Sequence, residues 1–231
     1  MAEAEDLDQA FKRICSMEAP LGERLEAFSV AVREHALPFA EAYDELVARI
    51  RSGEAGEAAP KPGELILPFA LPDGAGRIHR LDEMLAKGPV VLSFNRGHWC
   101  EYCLIELQAL KQALGEIAAS GAHVVSIMPE GGEIIAKVAA DNSFLVLEDE
   151  NNGYALALNL VIWLGDRVRE LYLLHELRVD QYQRNDGWFV PIPATFVIGT
   201  DGIVAARFVD PDFRRRMEID DILAALKPLR N

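Results

Sequence analysis

Cysteine is scarce in this chain, three in 231 residues. An odd count that small cannot build a structural disulfide framework, so a packed core has to supply the stability. No apolar run approaches the roughly 20 residues that a membrane span needs. The opening residues, MAEAEDLDQAFKRICSMEA, hold no basic segment followed by an apolar one, so no secretory leader is read there. Positive charge is short as well: Lys and Arg number 23 against 37 Asp and Glu, a formal net charge of -14. Such a chain repels phosphate backbones and anionic lipid, which argues against nucleic acid and membrane as partners. The expected compartment is the reducing cytoplasm. In that setting a close cysteine pair serves catalysis or metal binding rather than structure.

What is present is a chain half hydrophobic and about a quarter charged, enough for one domain with a sizeable core and an appendage. Leu7, Phe11 and Ile14, then Leu21, Leu25, Phe28 and Val32, then Phe39, Tyr43, Leu46 and Ile50 recur at helical spacing. They predict three amphipathic helices in an N-terminal arm, residues 1–51. SGEAGEAAPKPG, residues 52–63, is dense in helix and strand breakers and reads as a linker. The arm is too small for a strong core of its own, so it should dock on the main domain or on a second subunit, and a homodimer is expected.

Residues 64–231 change character. Two short strands flank Pro72-Asp73-Gly74, and PVVLSFN (89–95) is an apolar run suited to a central strand. A helix over 103–119, the strand AHVVSIM, the helix GGEIIAKVAADN, the strand SFLVLED and the short helix NNGYALALNL follow. A helical insertion, LGDRVRELYLLHEL, leads to a hairpin turning at Asp201-Gly202 and a closing helix. Strands alternating with helices and ending in an antiparallel hairpin predict an α/β fold, a central mixed sheet flanked by helices.

Trp99-Cys100-Glu101-Tyr102-Cys103 falls where the strand 89–95 gives way to the helix. At a helix start, backbone N–H groups and the helix dipole stabilise a thiolate, and a two-residue spacing lets one sulfur reach the other. A zinc site would need two further ligands; no second Cys-x-x-Cys exists, and His98 is too close to Cys100 to pair with it comfortably. The pair is therefore read as a redox dithiol needing neither cofactor nor metal. Cys100, nearer the helix N-terminus, is the expected nucleophile, with Cys103 resolving it. Val190-Pro191-Ile192-Pro193-Ala194-Thr195 precedes the hairpin. A proline there can be simple strand punctuation, or it can mark a cis Ile192–Pro193 bond facing the dithiol.

VVLSFNRGHWCEYC followed by PIPATFVIGTDG resembles the thioredoxin superfamily, and within it the peroxiredoxin-like branch of the AhpC/TSA family, over residues of about 60–227. The resemblance implies a thioredoxin-like fold and thiol-based reduction of a small peroxide or a disulfide. It implies Cys100, Cys103 and Pro193 as site residues, with Trp99 packed beside them, and a thiol reductant such as a thioredoxin or glutathione. Typical peroxiredoxins carry Pro-x-x-x-Thr-x-x-Cys. With Cys103 as the peroxidatic sulfur, Arg96 stands at the Pro position and Cys100 at the Thr position; with Cys100, Ser93 and Gly97 stand there. The first register keeps the strand end aligned. The arginine that typical members place before the late strand is missing, because Pro193 occupies that region, and Glu101 stands where relatives often have proline.

Arg96 and His98 flank the dithiol, where a cation lowers a thiol pKa. Cys15 is read as a small buried hydrophobe. His35, His79, His123 and His175 show no metal spacing, and Trp163 and Trp188 are read as packing. Arg214-Arg215-Arg216 lies between Asp212 and Glu218 and reads as a solvated helix face.

Overall fold

The computed structural model describes residues 5–229. The arm folds as α1 (Leu7–Cys15), α2 (Leu21–His35) and α3 (Leu37–Ser52). Asp6 and Gln9 form a reciprocal capping box at the start of α1. Pro20 offers α2 no side-chain cap. Glu218, near the other end of the chain, supplies one by accepting hydrogen bonds from the N–H groups of Leu21 and Gly22 at 3.0 and 2.7 Å. A Cβ on Gly22 would fall 2.5 Å from Glu218 Oε1, so this contact needs glycine.

Residues 53–64, within and beside the expected linker, run as turns that lie on the domain. Ala59 is buried, its carbonyl accepts from Arg207, and Val204 exchanges backbone hydrogen bonds with Gly63 and Glu64. Then come β1 (Ala70–Pro72), β2 (Ile78–Arg80), α4 (Leu81–Leu85), β3 (Val90–Phe94), α5 (Glu101–Gln112), α6 (Leu114–Ala119), β4 (His123–Met128), α7 (Glu133–Asn142), β5 (Leu145–Glu148) and α8 (Gly153–Ala157). An insertion holds β6 (Val161–Trp163), α9 (Asp166–Leu174), α10 (Val179–Tyr182) and β7 (Phe189–Pro191); β8 (Ala194–Ile198), β9 (Val204–Val209) and α11 (Ile219–Leu226) close the chain. The predicted single helix over 103–119 is two helices that part at Ala113. The small β6–β7 sheet escaped the sequence reading, its strands being too short to show a period.

The central sheet runs β5-β4-β3-β8-β9, with β3, β4 and β5 parallel and the final hairpin antiparallel. This is the α/β arrangement expected from the order of elements. Strand alternation sends Val90, Leu92 and Phe94 to one core and Val91 to the other. Ser93 shares the face of Val91 and pairs in register with Ser126 and Thr195, so a buried polar row crosses three strands beneath α5.

The arm docks on its own domain over α5. Phe28 meets Tyr102 edge-on at 5.0 Å and Phe11 at 5.8 Å. Arg24 donates to Gln112 of α5 and to the Cys15 carbonyl. Arg214 ties α3 to the segment after β9 through Asp44. Phe28 is 1% exposed, so Phe28→Ala should cost about 3–5 kcal/mol, the usual loss for a buried phenylalanine. Urea unfolding measures it. An unchanged unfolding free energy would mean that the arm contributes nothing to the fold.

Candidate active site

Strand β3 ends at Phe94, and the chain turns through Asn95, Arg96 and Gly97 into α5. Gly97 has φ +142, and a Cβ there would lie 2.5 Å from Trp99 Nε1 and 2.8 Å from Glu130 Oε1, so the turn requires glycine. Cys100 is the N-cap residue of α5 and Cys103 lies in its first turn. Both cysteines are free thiols, 3% and 0% exposed, with their sulfurs 3.0 Å apart.

Donors collect on Cys103. Its sulfur accepts from the Arg96 backbone N–H at 3.4 Å and from Arg216 Nη2 at 3.5 Å. Burial pushes this thiol up. The hydrogen bond with Cys100, the guanidiniums of Arg216 and Arg96, and the Arg96 N–H outweigh it and bring the thiol down to about 7. Burial, and then the hydrogen bond and charge of Cys103, push Cys100 up. The donors gathered on the Cys103 sulfur thus favour negative charge on Cys103 over Cys100.

Arg216 is fixed from behind. Its Nε donates to Glu106 Oε2 at 2.6 Å, and both side chains are buried. Glu106 Oε1 accepts from Ser93 Oγ and Thr195 Oγ1, each at 3.2 Å. Asn95 Nδ2 then donates to Ser93 Oγ and Ser126 Oγ at 2.9 and 3.1 Å. The polar row of the sheet is thus the floor that seats a buried carboxylate, and the carboxylate seats a guanidinium against sulfur.

Arg96 is 1% exposed. Its guanidinium lies 4.1 Å from the Phe213 ring centre and 5.0 Å from that of Trp99, and Nη2 donates to Tyr172 OH at 2.8 Å. Burial opposes this cation, but Tyr172, the two sulfurs and Tyr43 raise it above an ordinary arginine. Beside it, a cavity of about 400 Å³ is walled by Phe28, Phe39 and Tyr43 of the arm and by Trp99, Cys100 and Tyr172 of the domain. Cys103 does not line it. Burial raises the phenols of Tyr43 and Tyr172, which keeps them neutral. Glu101 lines the cavity, its carboxyl raised by loss of hydration against the lowering pull of Arg96.

The other sequence candidates separate. Trp99 packs edge-on against Tyr172, and Tyr102 is buried under the arm with its hydroxyl 3.3 Å from Ser29. His98 turns aside: its Nδ1 and backbone N–H meet the buried carboxylate of Glu130, each at 2.7 Å. Thr195 joins the floor. Ile192 shares a core cluster with both cysteines. The expected cis Ile192–Pro193 bond is a correction, since no peptide bond among the described residues is cis. Pro191 pairs with Val161 in β7, Ile192 N donates to the Leu160 carbonyl, and Ala194 opens β8, so the chain stays extended across the proline.

The reading of Arg214-Arg215-Arg216 as a solvated helix face is corrected too. The segment is not helical; Arg216 is buried and Arg214 pairs with Asp212 and Asp44, leaving Arg215 exposed. Arg216 brings to Cys103 the guanidinium that seemed missing at Pro193. Glu106 and Tyr172 also escaped notice. The serines placed in register in two apolar strands, Ser93 and Ser126, were the available signal for a buried polar partner.

A dithiol at the start of a helix, set against the ends of parallel strands in a five-stranded mixed sheet, defines a thiol-redox protein of thioredoxin-like fold. The model of the AhpC/TSA family matches residues 62–207, and the chain belongs to that family. It is thus a thiol-dependent enzyme, a peroxidase or an oxidoreductase. The peroxidoxin BcpB of Mycobacterium tuberculosis is 26% identical, matching 74% of this chain and 99% of its own, with a TM-score of 0.57. Reduced Prx3 of Vibrio vulnificus in complex with hydrogen peroxide is 18% identical over 72% of this chain and 98% of its own, at 0.54. The reduced 2-Cys peroxiredoxin of Plasmodium vivax is 16% identical over 71% and 79%, at 0.51. The last two are likenesses of fold. No curated protein matches the chain. The family match leaves out both the arm and Arg216, two contributors to this site.

The charge distribution generates a pH profile. A thiol lowered to about 7 is a thiolate above that pH, so iodoacetamide alkylation of the dithiol in a Cys15→Ser background should rise through about 7 and level off. Arg216→Gln removes one cation and should move the midpoint up by about one unit, while Arg216→Lys moves it less. A midpoint near 9 in the parent protein would contradict the placement of charge on Cys103.

Proposed function

We propose that this protein reduces hydroperoxides through a Cys100–Cys103 dithiol/disulfide cycle. The contact between the sulfurs, 3.0 Å with the Arg216 guanidinium on Cys103 and the Arg96 charge acting on both, carries the reading. Cys100 lines the cavity, and its proton passes to the Cys103 thiolate as it attacks the terminal oxygen of the peroxide. The O–O bond breaks, a sulfenic acid forms on Cys100, and the alkoxide takes the proton back from Cys103 and leaves as an alcohol, with Arg96 on the wall of the same cavity. Cys103, again as thiolate, attacks the sulfenic sulfur; the S–O bond breaks, the disulfide forms, and the hydroxide takes a proton from solvent and departs as water. A thiol reductant restores the dithiol. A second reading, in which Cys103 attacks first, is favoured by the donors gathered on its sulfur. The arm over both sulfurs supports a small substrate rather than a protein disulfide.

The test is peroxide-dependent consumption of a thiol reductant by three proteins. Cys100→Ser should abolish turnover, and Cys103→Ser should leave a dimedone-trappable sulfenic acid on Cys100. An adduct on Cys103 in the Cys100→Ser protein would establish the second order of attack. Full turnover by both variants would remove the disulfide cycle altogether.

A further inference from the structure

The two buried cations at the dithiol are neutralised differently. Arg216 has Glu106 at 2.6 Å. Arg96 has no carboxylate hydrogen-bonded to it, and its Nε and Nη1 find no acceptor among the described residues. The charges that act on Arg96 are those of the two sulfurs and, across the cavity, the Glu101 carboxylate, which makes no hydrogen bond to it. Oxidation to the disulfide makes both sulfurs neutral. Arg96 is then a buried cation with two free donors and only the unbonded Glu101 carboxylate as counter-charge, and a buried charge without hydrogen-bonded compensation is costly. The oxidised protein therefore has a place for an anion that the reduced protein fills with its own thiolate.

The cavity at Arg96 sets what that anion is attached to. Its volume of about 400 Å³ suits a small molecule, and Phe28, Val32, Phe39, Leu177 and Phe213 make most of its wall apolar; Asp8 and Glu101 also line it, so an anion is accepted only where it meets the free donors of Arg96. The sulfurs, 3% and 0% exposed, are out of contact for another protein's dithiol while the arm is in place. Resting on the disulfide cycle proposed above, we infer that the oxidised protein is reduced by a small thiol bearing a carboxylate, held by a charge-assisted pair with Arg96 inside the arm-covered cavity.

The steps balance. The thiolate of one small molecule attacks Cys100 Sγ, the Cys100–Cys103 bond breaks, and Cys103 leaves as a thiolate against Arg216. A second small thiolate attacks the mixed disulfide at the small molecule's sulfur, releasing the small-molecule disulfide and the Cys100 thiolate. Two thiols lose two electrons, the protein gains them, and the two protons given up by the thiols return to the cysteines or to solvent.

The disulfide is made with diamide in the Cys15→Ser protein, so the test does not depend on reactivity with peroxide. Its reduction is followed by tryptophan fluorescence in stopped flow, with mercaptopropionate and neutral mercaptoethanol compared at equal thiolate concentration. Mercaptopropionate should be about tenfold faster at low concentration and should saturate, the low end of what a charge-assisted hydrogen bond is worth. Propionate should compete. Arg96→Gln should abolish the preference between the two thiols, whatever it does to both rates, and Arg96→Lys should keep part of it. If the variants do not fold, competition by propionate in the parent protein decides alone. Equal rates with the two thiols and no effect of propionate would overturn the inference. Failure of peroxide to form the disulfide would instead count against the hydroperoxide reading.

Discussion

A thiolate shut away from water needs opposite charge within reach, and here that charge is a guanidinium that is itself shut away. Arg216 touches Cys103 at 3.5 Å because Glu106 holds it at 2.6 Å. Glu106 is accepted into the core because Ser93 and Thr195 hydrogen-bond its other oxygen. Removing either member of the pair leaves a lone buried charge, which costs about 3–5 kcal/mol. The polar row across β4, β3 and β8 looks out of place in three apolar strands until the sulfur above it is considered. Its position follows from strand alternation, which puts Ser93 on the face of α5.

The arm finishes the site from above. Phe28 and Tyr43 wall the cavity that Cys100 faces, Phe28 stacks edge-on against Tyr102, and Glu218 caps the helix that carries Phe28. The same contacts serve stability and chemistry. They bury apolar surface, and they dry the surroundings of the sulfurs, where charges act on one another more strongly than in water. The arm lies outside the family match, so part of the dithiol's environment comes from residues beyond the family domain.

The fold was legible because its signals are local. The periods of 3.6 and 2, the turn at Asp201-Gly202 and the apolar run at Val90–Phe94 each report on a few neighbouring residues. Cys100 and Cys103 were legible for the same reason. Arg216, Glu106 and Tyr172 were not, because each acquires its meaning from a partner far along the chain: Arg216 from Cys103, Glu106 from Thr195, Tyr172 from Arg96. Arg216 was hidden further by two adjacent arginines of different environment, one exposed and one half-buried in an ion pair. His98 shows the opposite failing. It adjoins the motif, yet the carboxylate of Glu130 draws it away from the sulfurs.

On the proposed cycle, two buried sulfurs 3.0 Å apart exchange a proton, and then a bond, in response to a peroxide. The most direct measurement is peptide mapping by mass spectrometry of the unaltered protein, before and after one equivalent of an organic hydroperoxide, with free thiols blocked at low pH. The expected result is one new disulfide joining Cys100 to Cys103, the loss of two hydrogens on a single peptide, and an unmodified Cys15. A stable sulfenic or sulfinic acid on either cysteine, with no disulfide between them, would contradict it.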